Sequence, residues 1–146
     1  ASVHAALVGH PCRPFDANLR VRIEDEDLST YPDLSVVCGP LVRSAVDRNA
    51  ITNPTALFEV LSPATAAYDR GEKFDAYQTI STLRAFVVVD FRRVHVDVYL
   101  RQDDGSWARR GYGPGEMAPI PPIEISVSVD AVYDGWAALV ESGRDS

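Results

Sequence analysis

Three places in the sequence hold residue types and spacings that could do chemistry. Glu59 stands inside Ala56-Leu-Phe-Glu-Val-Leu61, an otherwise apolar run. An ionised carboxylate in such a strand is costly to bury unless it is paired or bound to a metal. Strand alternation puts Leu57, Glu59 and Leu61 on one face. Asp33 closes Tyr31-Pro32-Asp33, immediately before the apolar strand Leu34–Cys38. Asp69, Lys73 and Tyr77 follow at i, i+4 and i+8, which on a helix places them within about 80° of one another. Lys73 is the one lysine among fourteen cations, the other thirteen being arginine. An ammonium differs from a guanidinium in how readily it shifts its pKa and gives up a proton. Each feature also has an ordinary reading. Pro-Asp is a common turn, Glu59 could sit in a structural salt bridge, and Asp69–Lys73 could be a solvated helix pair. A single lysine could be chance.

Taken together they point further. An acid at a strand start, an acid on a neighbouring strand and a lysine from the next helix can converge on one spot. Two carboxylates and carbonyl oxygens suit a hard divalent ion such as Mg²⁺. A nearby ammonium can orient an attacking water and offset negative charge in the transition state. Hydrolysis of a phosphodiester needs that set.

Other chemistries lack their motifs. The sequence has no HExxH, GxSxG, Walker A or helix-opening GxGxxG pattern. His4, His10 and His95 are scattered and read as surface or satisfied histidines. Gly111-Tyr-Gly-Pro-Gly115 reads as a loop rather than a phosphate cradle, because no helix follows it. The net charge of −7 argues against a protein that coats nucleic acid through its overall field. Local arginines remain. Residues 84–112 carry six cations against four anions, with Arg92, Arg93, Arg101, Arg109 and Arg110 as candidate contacts to nucleic acid.

The elements that must position these residues follow from pattern. With 146 residues, 46% hydrophobic and 24% charged, the chain reads as one globular domain over 1–146. Ala1–Val8 reads as a helix end stopped by Gly9 and Pro11. Cys12–Phe15 and Leu19–Ile23 read as strands, and the acidic run Glu24–Asp27 as a solvated hairpin loop. Leu34–Cys38 and Ala56–Leu61 read as central strands. Ser62-Pro63 starts a helix whose spacing runs over Asp69–Ile80. Arg84–Asp90 and Val94–Arg101 form a hairpin, returning through Asp104-Gly105 into Ser106–Gly111. Gly113–Pro122 reads as irregular, Ile125–Val129 as a last strand and Ala131–Val140 as a closing helix. The order gives an α+β fold with a mixed central sheet.

At this point the sequence resembles the Uma2 (DUF820) family, a bacterial branch of the PD-(D/E)xK restriction-endonuclease-like superfamily. The resemblance rests on Pro32-Asp33-Leu-Ser-Val-Val-Cys38, on Phe58-Glu59-Val-Leu-Ser-Pro63 and on Asp69-Arg-Gly-Glu-Lys73-Phe-Asp-Ala-Tyr77. The segments Ala85–Asp90, Val96–Tyr99 and Gly105–Trp107 agree with it, and it spans about Phe15 to Tyr133. It implies a Mg²⁺- or Mn²⁺-dependent endonuclease acting on DNA, with a restriction-endonuclease-like core. Asp33 and Glu59 would bind the metal together with the Leu61 backbone carbonyl. Lys73 would be the catalytic lysine, relocated from position 61 to the helix, with Asp69 and Tyr77 in support. The family pattern also implies a longer N-terminal helical part, within which this sequence is expected to begin.

Two alternatives stay open. One is a catalytically inactive relative that binds nucleic acid or a protein. The other is a structural dimerisation domain with Glu59 and Lys73 as a buried ion pair, which a direct Glu59–Lys73 bond without a cavity would favour. Superfamily habit suggests a homodimer. Cys12 and Cys38 have no CxxC spacing, so both are expected to be reduced, Cys38 packing as a small apolar side chain on the face away from Asp33. No apolar run approaches the ~20 residues of a membrane span, and no cationic leader is visible, so a cytoplasmic location is expected.

Overall fold

The computed structural model describes residues 2–61, 71–90, 92–132 and 134. A short helix α1 (Ser2–Ala6) leads through Gly9, at φ +73°, into β1 (Cys12–Asp16). The chain then forms β2 (Arg20–Ile23), β3 (Leu28–Thr30), β4 (Leu34–Cys38), β5 (Ala50–Ile51) and β6 (Ala56–Val60). Helix α2 (Glu72–Tyr77) precedes β7 (Ala85–Val89), β8 (Val96–Arg101), β9 (Trp107–Tyr112), β10 (Met117–Ile120) and β11 (Ile125–Ser128).

Six strands make the central sheet in the order β1-β4-β6-β7-β8-β9. Only β6 and β7 pair in parallel within it, so the sheet is mixed, as the α+β pattern implies. Its middle strands read as continuous apolar runs because both faces are covered. On one face Val36, Phe58, Val87 and Val98 pack against α1 and the β10–β11 hairpin through Val3, Leu7, Ile120 and Val127. On the other, Leu57, Phe86 and Val88 pack against α2 and the small β3-β2-β5 sheet through Tyr77, Ile80, Val21 and Ile51.

The acidic run is the exposed turn of a hairpin, as expected: Glu24–Glu26 form a 3₁₀ segment, Asp27 is left-handed at φ 48°, and β3 returns antiparallel to β2. Other expectations are corrected. Residues 113–122 are not wholly irregular, since Met117–Ile120 pairs with β11. Pro119 is tolerated there because that sheet has only two strands and a proline need not donate at an edge. The cysteines are not reduced: Cys12 and Cys38 form a disulfide. They are direct antiparallel partners on β1 and β4, a register that the sequence spacing hides. The cysteine-based argument for a reducing compartment falls with it. Cys38 does pack with the core on the face away from Asp33 and Glu59. The helix expected over Asp69–Ile80 is present as Glu72–Tyr77, Asp69 lying outside the described residues; residues 129–132 are helical, and most of the closing helix expected over Ala131–Val140 lies outside the described residues. Among the described residues no helix is long and apolar enough to cross a membrane.

Candidate active site

Register brings the acids into one row. Leu34 is paired with Phe58, so the antiparallel step beyond it sets Asp33 beside Glu59. Glu59 is paired with Val88 on β7, and Val88 with Asp97 on β8. Paired residues share a face, so the side chains of Glu59 and Asp97 rise from the same side of the sheet. Asp33 is fixed by the backbone after Glu59, the Val60 N–H donating to its Oδ2 at 2.7 Å.

Helix α2 lies over this row. An aromatic cluster seats it: Phe74 stacks on Phe86 at 5.1 Å between centroids and meets Tyr99 at 4.6 Å. Arg101 ties down the turns that follow, donating to the carbonyls of Gln78, Ile80 and Leu83 at 2.8–3.0 Å while lying over Trp107. Arg101 is therefore a structural strap rather than an exposed cation waiting for nucleic acid. With the helix held, the i, i+4 pair Lys73 and Tyr77 face the sheet. Lys73 Nζ donates to Glu59 Oε2 at 3.1 Å, and Tyr77 lies 2.9 Å from Glu59 Oε1 through its hydroxyl.

That hydroxyl also lies 3.2 Å from Thr30 Oγ1. A phenol has one proton to give, so with Glu59 ionised the Tyr77 O–H donates to the carboxylate and Thr30 donates to Tyr77. Thr30 was not legible as a site residue, because nothing in its neighbourhood marks the end of the short strand β3. Ser35, two residues after Asp33 and on its face, is also buried; its Oγ has no hydrogen-bond partner among the described residues.

The electrostatics of Glu59 follow from this packing. Only 4% of the residue is exposed, and burial is the largest influence, pushing its carboxyl up to about 7. The negative charge of Asp33 pushes the same way, while the Lys73 ammonium and the Tyr77 hydroxyl pull it down. Burial wins. Asp33 and Glu59 thus disfavour each other's negative charge.

The donor chemistry fits a hard cation of the Mg²⁺ class. Such ions are commonly held by one or two carboxylates, with water and substrate phosphate completing the shell. Among the described residues no group of three or more His, Cys, Asp and Glu side chains is gathered closely enough to hold a metal. Asp33 and Glu59 are two carboxylate donors that the strand register sets side by side. Leu61, with its N–H donating to the Val89 carbonyl at 3.0 Å, follows directly on β6.

The arginine candidates separate by face. Arg109 is paired with Tyr99 and shares the Glu59 face, whereas Arg110 is paired with Val98 and lies against the Tyr112 ring on the other. Arg92 and Arg93 stand on the β7–β8 turn beside the buried Asp90.

A family model described as "Uma2: Putative restriction endonuclease" matches residues 2–131. The chain belongs to the Uma2 family. It is 36% identical over 131 residues to "Uncharacterized protein slr1290" of Synechocystis sp., covering 90% of this chain and 68% of that protein. It is 30% identical over 93 residues to "Uncharacterized protein sll1609" of the same organism, covering 64% of this chain and 52% of that one. Its fold is shared with a crystal structure described as "a putative nuclease belonging to DUF820" from Anabaena variabilis ATCC 29413. The TM-score is 0.70 at 19% identity, over 91% of this chain and 74% of that one. The Uma2 fold accounts for the mixed sheet.

Proposed function

We propose that this Uma2 protein is a Mg²⁺- or Mn²⁺-dependent endonuclease that hydrolyses DNA phosphodiester bonds. The observation that carries the reading is the convergence of Asp33 from the start of β4, Glu59 from β6 and Lys73 from α2. Asp33 and Glu59, with the Leu61 backbone carbonyl, would hold the ion. When bound, the ion supplies Lewis-acid polarisation of the phosphate and makes a water more acidic. Lys73 orients the attacking water and offsets negative charge gathering on the phosphate. Tyr77 and Thr30 hold Glu59 in its rotamer. Asp69 keeps a supporting role in this reading. We further propose a homodimer, so that two sites address the two strands of a duplex.

A second reading has an observation in its favour. Lys73 bonds Glu59 directly, and the described cavities, of about 300 and 420 Å³, are lined elsewhere, by residues such as Thr52 and Thr79 or Pro14 and Phe15. In that reading the pair is a buried structural ion pair within a catalytically inactive module.

Metal binding separates the two. A cation that binds only the folded protein stabilises it by ~1.4 kcal/mol at about ten times its Kd. With 10 mM Mg²⁺ and a Kd of about 1 mM, Tm should rise by about 3–5 °C. Glu59→Gln should abolish the shift and Lys73→Ala should keep it. The structural reading expects no metal shift, and a loss of about 3–5 kcal/mol when either partner is removed.

A further inference from the structure

The face that carries Glu59 continues past Val88 to a second charged cluster. Asp97, 3% exposed, accepts from Arg109 Nη1 at 2.7 Å and lies 3.0 Å from His95 Nε2, both at the same Oδ1. Asp90, two residues after Val88 and just past the end of β7, is also 3% exposed and accepts the Arg92 N–H at 2.8 Å. The guanidinium groups of Arg92 and Arg93 lean on its two oxygens at 3.7 and 3.5 Å. Gly111, paired with Asp97, leaves room for the imidazole: a Cβ there would stand 2.9 Å from His95 Cε1.

The buried and exposed ends of these groups are sorted. The carboxylates are inside, while the side chains of Arg92 and Arg93 are each 66% exposed and that of Arg109 is 55% exposed. A guanidinium carries five N–H donors in a fixed fork. One edge of each leans on its aspartate, which fixes the side chain at little further entropy cost while more than half of it stays exposed. Among the described residues of this cluster, three arginines stand against two aspartates, on a chain of net charge −7. Such an arginine cluster on an acidic protein needs a reason.

Position supplies one. Asp97 and Glu59 flank Val88 on either side, so they stand two strands apart, about 10 Å, on one face. The geometry points to Arg92, Arg93 and Arg109, held by Asp90 and Asp97, as the arm that grips the DNA backbone. It would bind a phosphate next to the one presented to Glu59 and Lys73. Such contacts fix position along the strand without reading sequence. His95 meets the same Asp97 oxygen as Arg109 and so helps to hold that carboxylate in place. This inference rests on the nuclease reading and specifies how that site receives its substrate.

Fluorescence anisotropy of a short labelled DNA duplex, in EDTA so that nothing is cut, tests it. The proteins are wild type, Arg109→Ala, the double variant Arg92→Ala/Arg93→Ala, and Arg48→Ala, a control that removes one charge, as Arg109→Ala does, from the exposed loop before β5. The expected result is weaker binding by Arg109→Ala and by the double variant. The slope of log K against log salt should fall by about 0.9 for each phosphate no longer neutralised, with Arg48→Ala like wild type. Melting curves accompany each variant. If Arg109→Ala proves unstable, the double variant, whose side chains are largely exposed, still decides the matter. Wild-type binding with unchanged affinity and slope in the double variant overturns the arm while leaving the nuclease reading standing. An equal loss in Arg48→Ala overturns it too, in favour of diffuse attraction. If the wild type binds no DNA either in EDTA or with Ca²⁺ supplied in place of Mg²⁺, the nuclease reading itself fails and the arm goes with it.

Discussion

Replacing Glu59 with glutamine should change how stability depends on pH, and the sign of the change separates the two readings of the site. Burial raises the Glu59 carboxyl from 4.5 to about 7, Asp33 adding to the shift and Lys73 opposing it. A carboxyl with a raised folded-state pKa contributes stability that is fully present below about 4.5 and is lost as pH rises through about 7. Two and a half units at about 1.4 kcal/mol each make about 3 kcal/mol in all, of which about 2.5 kcal/mol falls between pH 5 and pH 8. Glu59→Gln keeps the volume and cannot titrate. The stability of the wild type relative to Glu59→Gln should therefore drop by about 2.5 kcal/mol over that range, or about 5–10 °C in Tm. Parallel denaturation of both proteins in EDTA from pH 5 to pH 8 measures it. Parallel curves would refute the reasoning. So would a wild type that gains on the variant as pH rises, because that is the behaviour of a carboxylate whose lysine outweighs its burial.

Tyr77→Phe removes the hydroxyl between Glu59 and Thr30 and should cost about 1–3 kcal/mol. The loss should be larger at pH 8 than at pH 6, since the hydroxyl favours the ionised form of Glu59; thermal melts at both values check it. Opening the Cys12–Cys38 disulfide, by reductant or by Cys12→Ser/Cys38→Ser, releases a 26-residue separation and should cost about 3 kcal/mol. Because Cys38 faces away from Glu59, DNA cleavage by the reduced protein at a temperature well below its Tm should match that of the oxidised one.

Strong local signals were legible in the sequence. The apolar runs at Leu34–Cys38 and Ala56–Val60 are central strands because both faces are buried, and an acid inside such a run stood out against them. The i, i+4 spacing of Lys73 and Tyr77 gave their shared face correctly, and both reach Glu59. What escaped was set by tertiary register. The strands β3 and β5 have three and two residues, too short to show alternation, and exist because they pair with β2. Their absence from the sequence reading hid Thr30. The disulfide depends on Cys12 and Cys38 being direct partners across two strands that are 26 residues apart in sequence. His95 looked isolated because nothing in the sequence marks Asp97, two residues on, as a buried partner on the same face.

The central claim is that Asp33, Glu59 and Lys73 form a site that cuts DNA, and the most direct test is the rate at which supercoiled plasmid is nicked. The wild-type protein with Mg²⁺ or Mn²⁺ should convert it and stop when EDTA is added. Lys73→Ala, which keeps both metal-binding acids, should slow the reaction by about 10²–10³-fold, the usual cost of one preorganised charge-stabilising group. Cleavage by Lys73→Ala at the wild-type rate, or no metal-dependent cleavage by the wild type, would contradict the account.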